Sequence, residues 1–127
     1  MEARLTCNLV LQIQGRAIVV DLDHERDALG DACEVKHPHA TILFKPDGFS
    51  EDELREITKF RSEWLHAKGR DEDGRCTFDV SERWGRRSNH VGGELRDFID
   101  EARLLFAERF GCPLKEQREP HVQLRKQ

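Results

Sequence analysis

The sequence predicts an α+β domain in which a β-sheet packs on two long helices. Short segments near both ends of the chain alternate apolar and polar residues, which is the period of a half-buried strand. Two longer segments carry apolar residues at helical spacing, and the predicted order is strands, helix, strand, loop, helix, strand. At 127 residues the chain can bury a core without disulfides or structural metal, so we expect one domain spanning residues 1–127.

The first segments of the chain predict two neighbouring strands. A period-two pattern from residue 5 to residue 14 predicts one strand. Its apolar positions on one side are Leu5, Cys7, Leu9, Leu11 and Ile13. Gly15 breaks the pattern, and residues 17–20 predict a second strand that is joined to the first by a tight turn. The acid-rich segment 21–34 is predicted to be a solvated loop or a short helix.

A third strand is predicted at residues 39–44, and it carries the first candidate functional residues. Ala40, Ile42 and Phe44 would share the face that packs on the core. His39 and Thr41 would lie one pleat apart on the opposite face, where an imidazole and a hydroxyl can together hold a phosphate. We therefore expect the function to be organised around this strand.

A helix is predicted after the turn at residues 45–48. Ser50 and Glu53 match a capping box at its start, and Lys68 with Gly69 marks its end. Its predicted buried face consists of Leu54, Ile57, Phe60, Trp64 and Leu65. A charged loop follows, and residues 76–80 then predict a short strand.

The segment 81–93 is predicted to be irregular, and it is equally consistent with an anion-attracting flap and with an ordinary surface loop. Apolar residues at helical spacing predict a second helix from about residue 95 to residue 110, which Pro113 prevents from continuing. Residues 121–125 predict the last strand, with Val122 and Leu124 facing the core.

Composition limits the classes of function. The net charge of −4 argues against sequence-independent nucleic-acid binding, which neutralises many phosphates, but it allows a local patch for one phosphate. No apolar run approaches the roughly 20 residues that span a membrane, and no secretory signal is expected. The four cysteines are widely spaced, which favours reduced thiols in a cytoplasmic protein over a disulfide framework.

Two of the predicted strands share a pattern that suits phosphodiester chemistry. His39 and His121 each precede, by two residues, a side chain that can donate a hydrogen bond, which is Thr41 in one case and Gln123 in the other. Histidine serves as acid or base because imidazole exchanges a proton near neutral pH. The donors lie on the same strand face as the histidines and could stabilise charge on the non-bridging oxygens. This chemistry requires no metal.

The chain resembles the two-histidine (2H) phosphoesterase superfamily over about residues 35–125. The resemblance is carried by His-Ala-Thr-Ile at residues 39–42, two helices with an intervening loop, and Pro-His-Val-Gln-Leu at residues 120–124. It implies antiparallel sheets in two similar lobes, with two main helices on the outside and a cleft between the lobes. It also implies that His39 and His121 are the acid–base pair, that Thr41 binds phosphate, and that neither metal nor cofactor is needed. Gln123 departs from the Thr or Ser of the family pattern, although its amide can still donate to a phosphate oxygen.

The resemblance predicts a phosphoesterase similar to cyclic phosphodiesterases and 2′-5′ RNA ligases. Its substrate would be an RNA end or small nucleotide with a 2′,3′-cyclic phosphate or a 2′-5′ linkage. We expect a cytoplasmic monomer without a membrane partner. The candidate substrate-binding residues are His37, Trp84, Arg86, Arg87 and Arg125.

Two other classes of protein stay open at the level of sequence. A non-catalytic module that binds RNA, nucleotides or another protein would use Trp84 and the arginine-rich loop as its contact surface. A zinc-binding protein would use Cys33, His37 and His39, with His24 or a carboxylate as the fourth ligand. Outside such a site, His24 and His90 are expected to be surface residues.

Overall fold

A computed structural model of the chain describes residues 3–22, 33–70, 75–84 and 88–124. These residues form seven strands and two α-helices, together with a short 3-10 helix at Leu114–Glu116. In chain order the elements are β1 (Ala3–Asn8), β2 (Leu11–Gln14), β3 (Ala17–Asp21), β4 (His39–Phe44), α1 (Glu51–Ala67), β5 (Arg75–Trp84), β6 (Ser88–Gly92), α2 (Gly93–Phe106) and β7 (His121–Gln123).

The seven described strands form one antiparallel sheet in the order β1-β5-β6-β7-β4-β3-β2. The α+β class predicted from the sequence is confirmed. The resemblance to the 2H superfamily implies antiparallel sheets in two lobes, whereas the described strands form one continuous sheet. β1 and β2 lie at opposite edges of the sheet while only Leu9 and Val10 separate them in the chain. The sheet therefore curls until its two edges approach each other. β4 and β7, far apart in sequence, become neighbours at its centre.

The prediction of one strand over residues 5–14 is wrong, because the chain breaks between β1 and β2. The Val10 amide donates to the Asn8 carbonyl over 2.9 Å, and the Val10 carbonyl accepts from the Asp21 amide over 3.2 Å. Leu9 is buried and Val10 is exposed, so the alternation of apolar side chains continues through the break. Hydrophobic periodicity therefore contains no signal for it.

The turn predicted between the next two strands is confirmed. β2 and β3 pair from Leu11 opposite Val20 to Gln14 opposite Ala17, which leaves a two-residue turn at Gly15 and Arg16. Gly15 has a φ of +60°, a conformation that side chains with a Cβ rarely adopt. This hairpin forms one edge of the sheet.

The inward position predicted for Phe44 is wrong. β3 pairs Ile18 with Leu43 but Val19 with Thr41, so Ile42 is an extra residue in a β-bulge. A bulge reverses the alternation of the side chains that follow it. Leu43 is consequently buried, while 42% of Phe44 is exposed.

The first helix begins and ends as the sequence predicts. Ser50 Oγ accepts from the Glu53 amide, and the Glu53 carboxylate accepts from the Ser50 amide over 2.8 Å, which completes the capping box. Burial would raise the pKa of Glu53, but the bonds from Ser50 and Lys45 outweigh it and hold that pKa below its ordinary value. The helix stops at Lys68, and Gly69 follows with a φ of +75°.

The segment predicted to be irregular, residues 81–93, includes the end of β5 and all of β6 among its described residues. β5 extends to Trp84, and β6 pairs with it and also with β7. A register shift between Val80 and Arg83 interrupts the period-two pattern, which hides the strand in the sequence. α2 then starts at Gly93, where a Cβ would lie 3.1 Å from the Phe78 backbone.

The end of α2 also differs from the prediction. The helix ends at Phe106 rather than near residue 110, and residues 107–111 continue as turns. Both helices pack against the sheet and against each other through aromatic rings. Phe98 of α2 lies 5.7 Å from Phe60 and 5.3 Å from Trp64, measured between ring centroids. No α-helix within the described ranges is long and apolar enough to cross a lipid bilayer.

The capping box leads to a prediction for stability. Ser50→Ala is expected to lower the free energy of unfolding by about 1 kcal/mol, because the Glu53 amide loses its acceptor. Urea denaturation of both proteins measures the difference. Ser62→Ala is the matched control, because Ser62 lies inside α1 and only bonds back to the Thr58 carbonyl. A loss no larger than that of Ser62→Ala would contradict the role of the cap.

Candidate functional site

The contact between β4 and β7 brings the candidate residues together. Ala40 lies directly opposite Val122, and both side chains are fully buried in the core. The antiparallel register, continued by one residue in each direction, sets His39 opposite Gln123 and Thr41 opposite His121. These four flanking side chains point away from the core, and each is half-buried.

The two histidines occupy one diagonal of this rectangle, and Thr41 and Gln123 occupy the other. Diagonal neighbours in a regular antiparallel pair lie about 7–8 Å apart. A tetrahedral phosphorus centre above the Ala40–Val122 pair would therefore have an imidazole on each of two sides. The arrangement can supply two proton-transfer groups and two hydrogen-bond donors to one phosphate.

Each histidine is fixed by the same local hydrogen bond. His39 Nδ1 lies 3.1 Å from the His37 carbonyl oxygen, and His121 Nδ1 lies 2.7 Å from the Glu119 carbonyl oxygen. A carbonyl oxygen only accepts, so Nδ1 must carry the proton in both rings. Nε2 is then the nitrogen that gains or releases a proton. The same tautomer is therefore set on both strands.

The residue between each histidine and its carbonyl partner is a buried proline. Pro38 O accepts from the Leu22 amide over 2.9 Å, and Pro120 O accepts from the Val91 amide over 3.1 Å. The Pro38 segment is thereby bonded to the residue that follows β3, and the Pro120 segment is bonded to β6. These strands flank β4 and β7 in the sheet. Two segments far apart in the chain thus make the same kinds of hydrogen bond through their histidine and proline.

The outer neighbours of the two histidines differ. Asp21 of β3 is paired with His39, and His90 of β6 is paired with His121. His90 was expected to be a surface residue outside any site, but it is half-buried on the strand beside His121. The sequence holds no signal for either neighbour, because both positions depend on which strands meet.

A buried arginine lies behind this site. Arg103 of α2 is only 8% exposed, and burial lowers the pKa of its guanidinium. Its Nε donates to the Ile42 carbonyl over 2.7 Å, and its Nη2 donates to the Thr41 carbonyl over 3.3 Å. Its Nη1 donates to the Arg118 carbonyl over 2.8 Å. Arg103 thus joins α2 to β4 and to the segment that precedes β7. A cation between Ile99 and Phe106 on the apolar helix face was a sequence signal for such a role.

A groove of about 460 Å³ opens beside His121 and Thr41. The Gln117 side chain forms one of its walls, because its amide exchanges two hydrogen bonds with the Phe44 backbone, of 2.9 and 3.0 Å. The other lining residues are Phe44, Arg103, Glu116 and Arg118. The sequence contains no signal for this groove, because it forms between β4 and the segment before β7, which are distant in the chain.

The described structure covers only part of the remaining predicted substrate-binding residues. The His37 side chain is exposed, and its backbone carbonyl serves the site by holding His39. The backbone of Trp84 ends β5 opposite Ser88. Arg86, Arg87 and Arg125 lie outside the described residues.

Cys33, His37 and His39, the described residues of the zinc site considered from the sequence, do not form a metal site. Within the part of the chain that the structure describes, no group of three or more His, Cys, Asp or Glu residues could hold a metal ion. The Cys33 thiol instead donates to the Val35 carbonyl over 3.6 Å. His24, considered as a fourth ligand, lies outside the described residues.

Comparisons with protein-family models, curated proteins and solved structures find no match to this chain. The geometry of β4, β7 and the groove beside them is therefore the basis for assigning a function.

The anchoring of the two imidazoles leads to a prediction for their tautomers. Long-range ¹H–¹⁵N NMR spectra above neutral pH are expected to show His39 and His121 protonated at Nδ1, because each Nδ1 donates to a carbonyl. The exposed His66 of α1 is the internal control and should show the tautomer mixture of free imidazole. Protonation of either site histidine at Nε2 would contradict the proposed orientation.

Proposed function

We propose that the protein is a 2H-type phosphodiesterase that acts on RNA ends or small nucleotides. The substrate would carry a 2′,3′-cyclic phosphate or a 2′-5′ linkage. The observation that carries this proposal is the diagonal placement of His39 and His121 across the Ala40–Val122 pair, with both rings anchored through Nδ1. The resemblance of the two His-x-polar segments to the 2H pattern supports the same conclusion.

The proposed mechanism uses one imidazole as base and the other as acid. In hydrolysis of a cyclic phosphate, Nε2 of one histidine takes a proton from water as the water oxygen bonds to phosphorus. The bond from phosphorus to one ribose oxygen breaks, and the protonated second imidazole gives its proton to that oxygen. The two histidines exchange protonation states in each turnover, and proton exchange with water restores them.

Thr41 and Gln123 would stabilise the charge on the phosphate. They lie on the second diagonal, so the Thr41 hydroxyl and the Gln123 amide can donate to non-bridging oxygens while the histidines act on the attacking and leaving oxygens. The Gln123 amide reaches further than a Thr or Ser hydroxyl. A phosphate held by Gln123 would consequently lie further from the β7 backbone, and closer to Thr41, than one held by a Thr or Ser at the same position.

We also propose that the sheet works as two halves. β1, β5, β6 and β7 would form one half, and β2, β3 and β4 would form the other. Direct β4–β7 pairing is confined to Ala40 and Val122, which is shorter than the other strand pairings among the described residues. The substrate would lie in a cleft along this seam.

The proposed mechanism predicts that both histidines are needed for turnover. His39→Ala and His121→Ala are each expected to lower kcat on 2′,3′-cyclic nucleotides or 2′-5′-linked RNA by about 10²–10⁴-fold, since each removes one proton-transfer group. Product formation is measured by chromatography with EDTA present throughout. His66→Ala is the matched control, because His66 is exposed on α1.

Two results would contradict this proposal. Turnover that persists in either site variant would remove that histidine from the mechanism. Absence of turnover by the folded wild-type protein on every substrate, with RNA binding unchanged in both variants, would support the non-catalytic binding module instead. Circular dichroism of each variant establishes that the fold is retained.

A further inference from the structure

We propose that the groove beside His121 binds the second nucleotide of the substrate. This is the nucleotide that precedes the terminal one, and the terminal one carries the reacting phosphate. The preferred substrate would then be an RNA chain of at least two nucleotides rather than a cyclic mononucleotide. This inference rests on the proposed function, because it takes the reacting phosphate to lie between His39 and His121. Thr41 and His121 line both the candidate site and the groove, so a chain held at the histidines would continue into the groove.

The charge of the groove suits a second phosphate. Arg103 and Arg118 bring two positive charges to its lining, and Glu116 brings one negative charge. The charge of Arg103 is not cancelled by a close acid, since no carboxylate in the described ranges lies within ion-pair distance of it. Asp100 and Glu119, the acids that influence it, are both bonded to Arg96.

Arg103 retains hydrogen-bonding capacity after its structural role is met. A guanidinium has five N–H groups, and the bonds from Arg103 to three carbonyls use one on each nitrogen. One N–H on Nη1 and one on Nη2 are left over among these contacts. A desolvated guanidinium that lines a groove is a strong partner for a phosphate oxygen.

The shape of the groove suits a nucleoside beside that phosphate. Its volume of about 460 Å³ lies within the range of small-molecule sites. Phe44 lines the groove with 42% of its surface exposed, and an exposed aromatic ring is a platform on which a base can stack. The β4 bulge is what brings this ring to the surface instead of the core.

The groove is also held in shape before any ligand arrives. Gln117 is bonded to the Phe44 backbone on one side and to the Cys112 carbonyl, over 3.3 Å, on the other. Arg103 also holds the Arg118 backbone, through a hydrogen bond of 2.8 Å to its carbonyl. A site whose walls are already fixed loses little conformational entropy when it binds.

Three substrates separate the contributions of the second phosphate and the second base. They are adenosine 2′,3′-cyclic phosphate, the same compound with a 5′-phosphate, and the dinucleotide ApA with a terminal 2′,3′-cyclic phosphate. We expect kcat/KM to rise about tenfold with the 5′-phosphate and about tenfold or more again with the second nucleoside. Added salt should reduce the first increment more than the second.

Two variants assign these increments to groove residues. Arg118→Gln is expected to reduce the gain from the 5′-phosphate about fivefold or more, and Phe44→Ala to reduce the gain from the second nucleoside. Both side chains are exposed, so we expect the variants to fold. The matched controls are Arg55→Gln, an exposed arginine on α1, and Leu104→Ala, an exposed leucine on α2. Neither control should change the ratios.

Binding without turnover separates this inference from the proposed function. Fluorescence anisotropy with a labelled tri-adenylate, on the His39→Ala/His121→Ala protein, measures binding alone. If the wild-type protein shows no turnover while Arg118→Gln weakens binding, the groove is retained and the catalytic proposal is overturned. Equal kcat/KM on all three substrates would retain the catalytic proposal and overturn the groove. Absence of both turnover and binding would overturn both.

Discussion

The pairing of β4 with β7 is the constraint on which the candidate site depends. Ala40 and Val122 are the one pair in direct register between these strands, as far as the structure describes them, and that pair sets the positions of His39 and His121. A slip of one residue would move every side chain to the other face. It would bring the histidines into the core and expose two fully buried apolar side chains. Hydrophobic burial at Ala40 and Val122 therefore fixes the register of the polar face.

Arg103 stabilises this contact where the strands no longer pair. Burying a charge is costly unless the charge is hydrogen-bonded, and three backbone carbonyls from two separate segments satisfy this guanidinium. Its bonds connect β4 to the segment before β7, beyond the single pair in direct register. Arg103 also lines the groove, so one guanidinium both stabilises the β4–β7 contact and contributes to the proposed nucleotide site.

The sequence predicts features that short segments determine on their own, and it fails where distant segments decide. The Ser50 capping box is a local feature, and so is the placement of His39 and Thr41 on one face of β4. Both can be predicted from the spacing of residues alone. The break at Leu9 and Val10 preserves the apolar alternation, so the pattern could not reveal it. The pairing of His90 with His121 and the groove at Gln117 depend on which strands meet. Periodicity carries no information about those contacts.

His39 and His121 are proposed to act on one phosphate, and an NMR titration with inorganic phosphate is the sharpest test of this proposal. The imidazole signals of His39 and His121 are recorded at constant pH and ionic strength, with the exposed His66 as the internal reference. Both site histidines are expected to shift along one binding curve with the same Kd, while the His66 signal does not move. A shift of only one of them, or two distinct Kd values, would contradict a shared phosphate site.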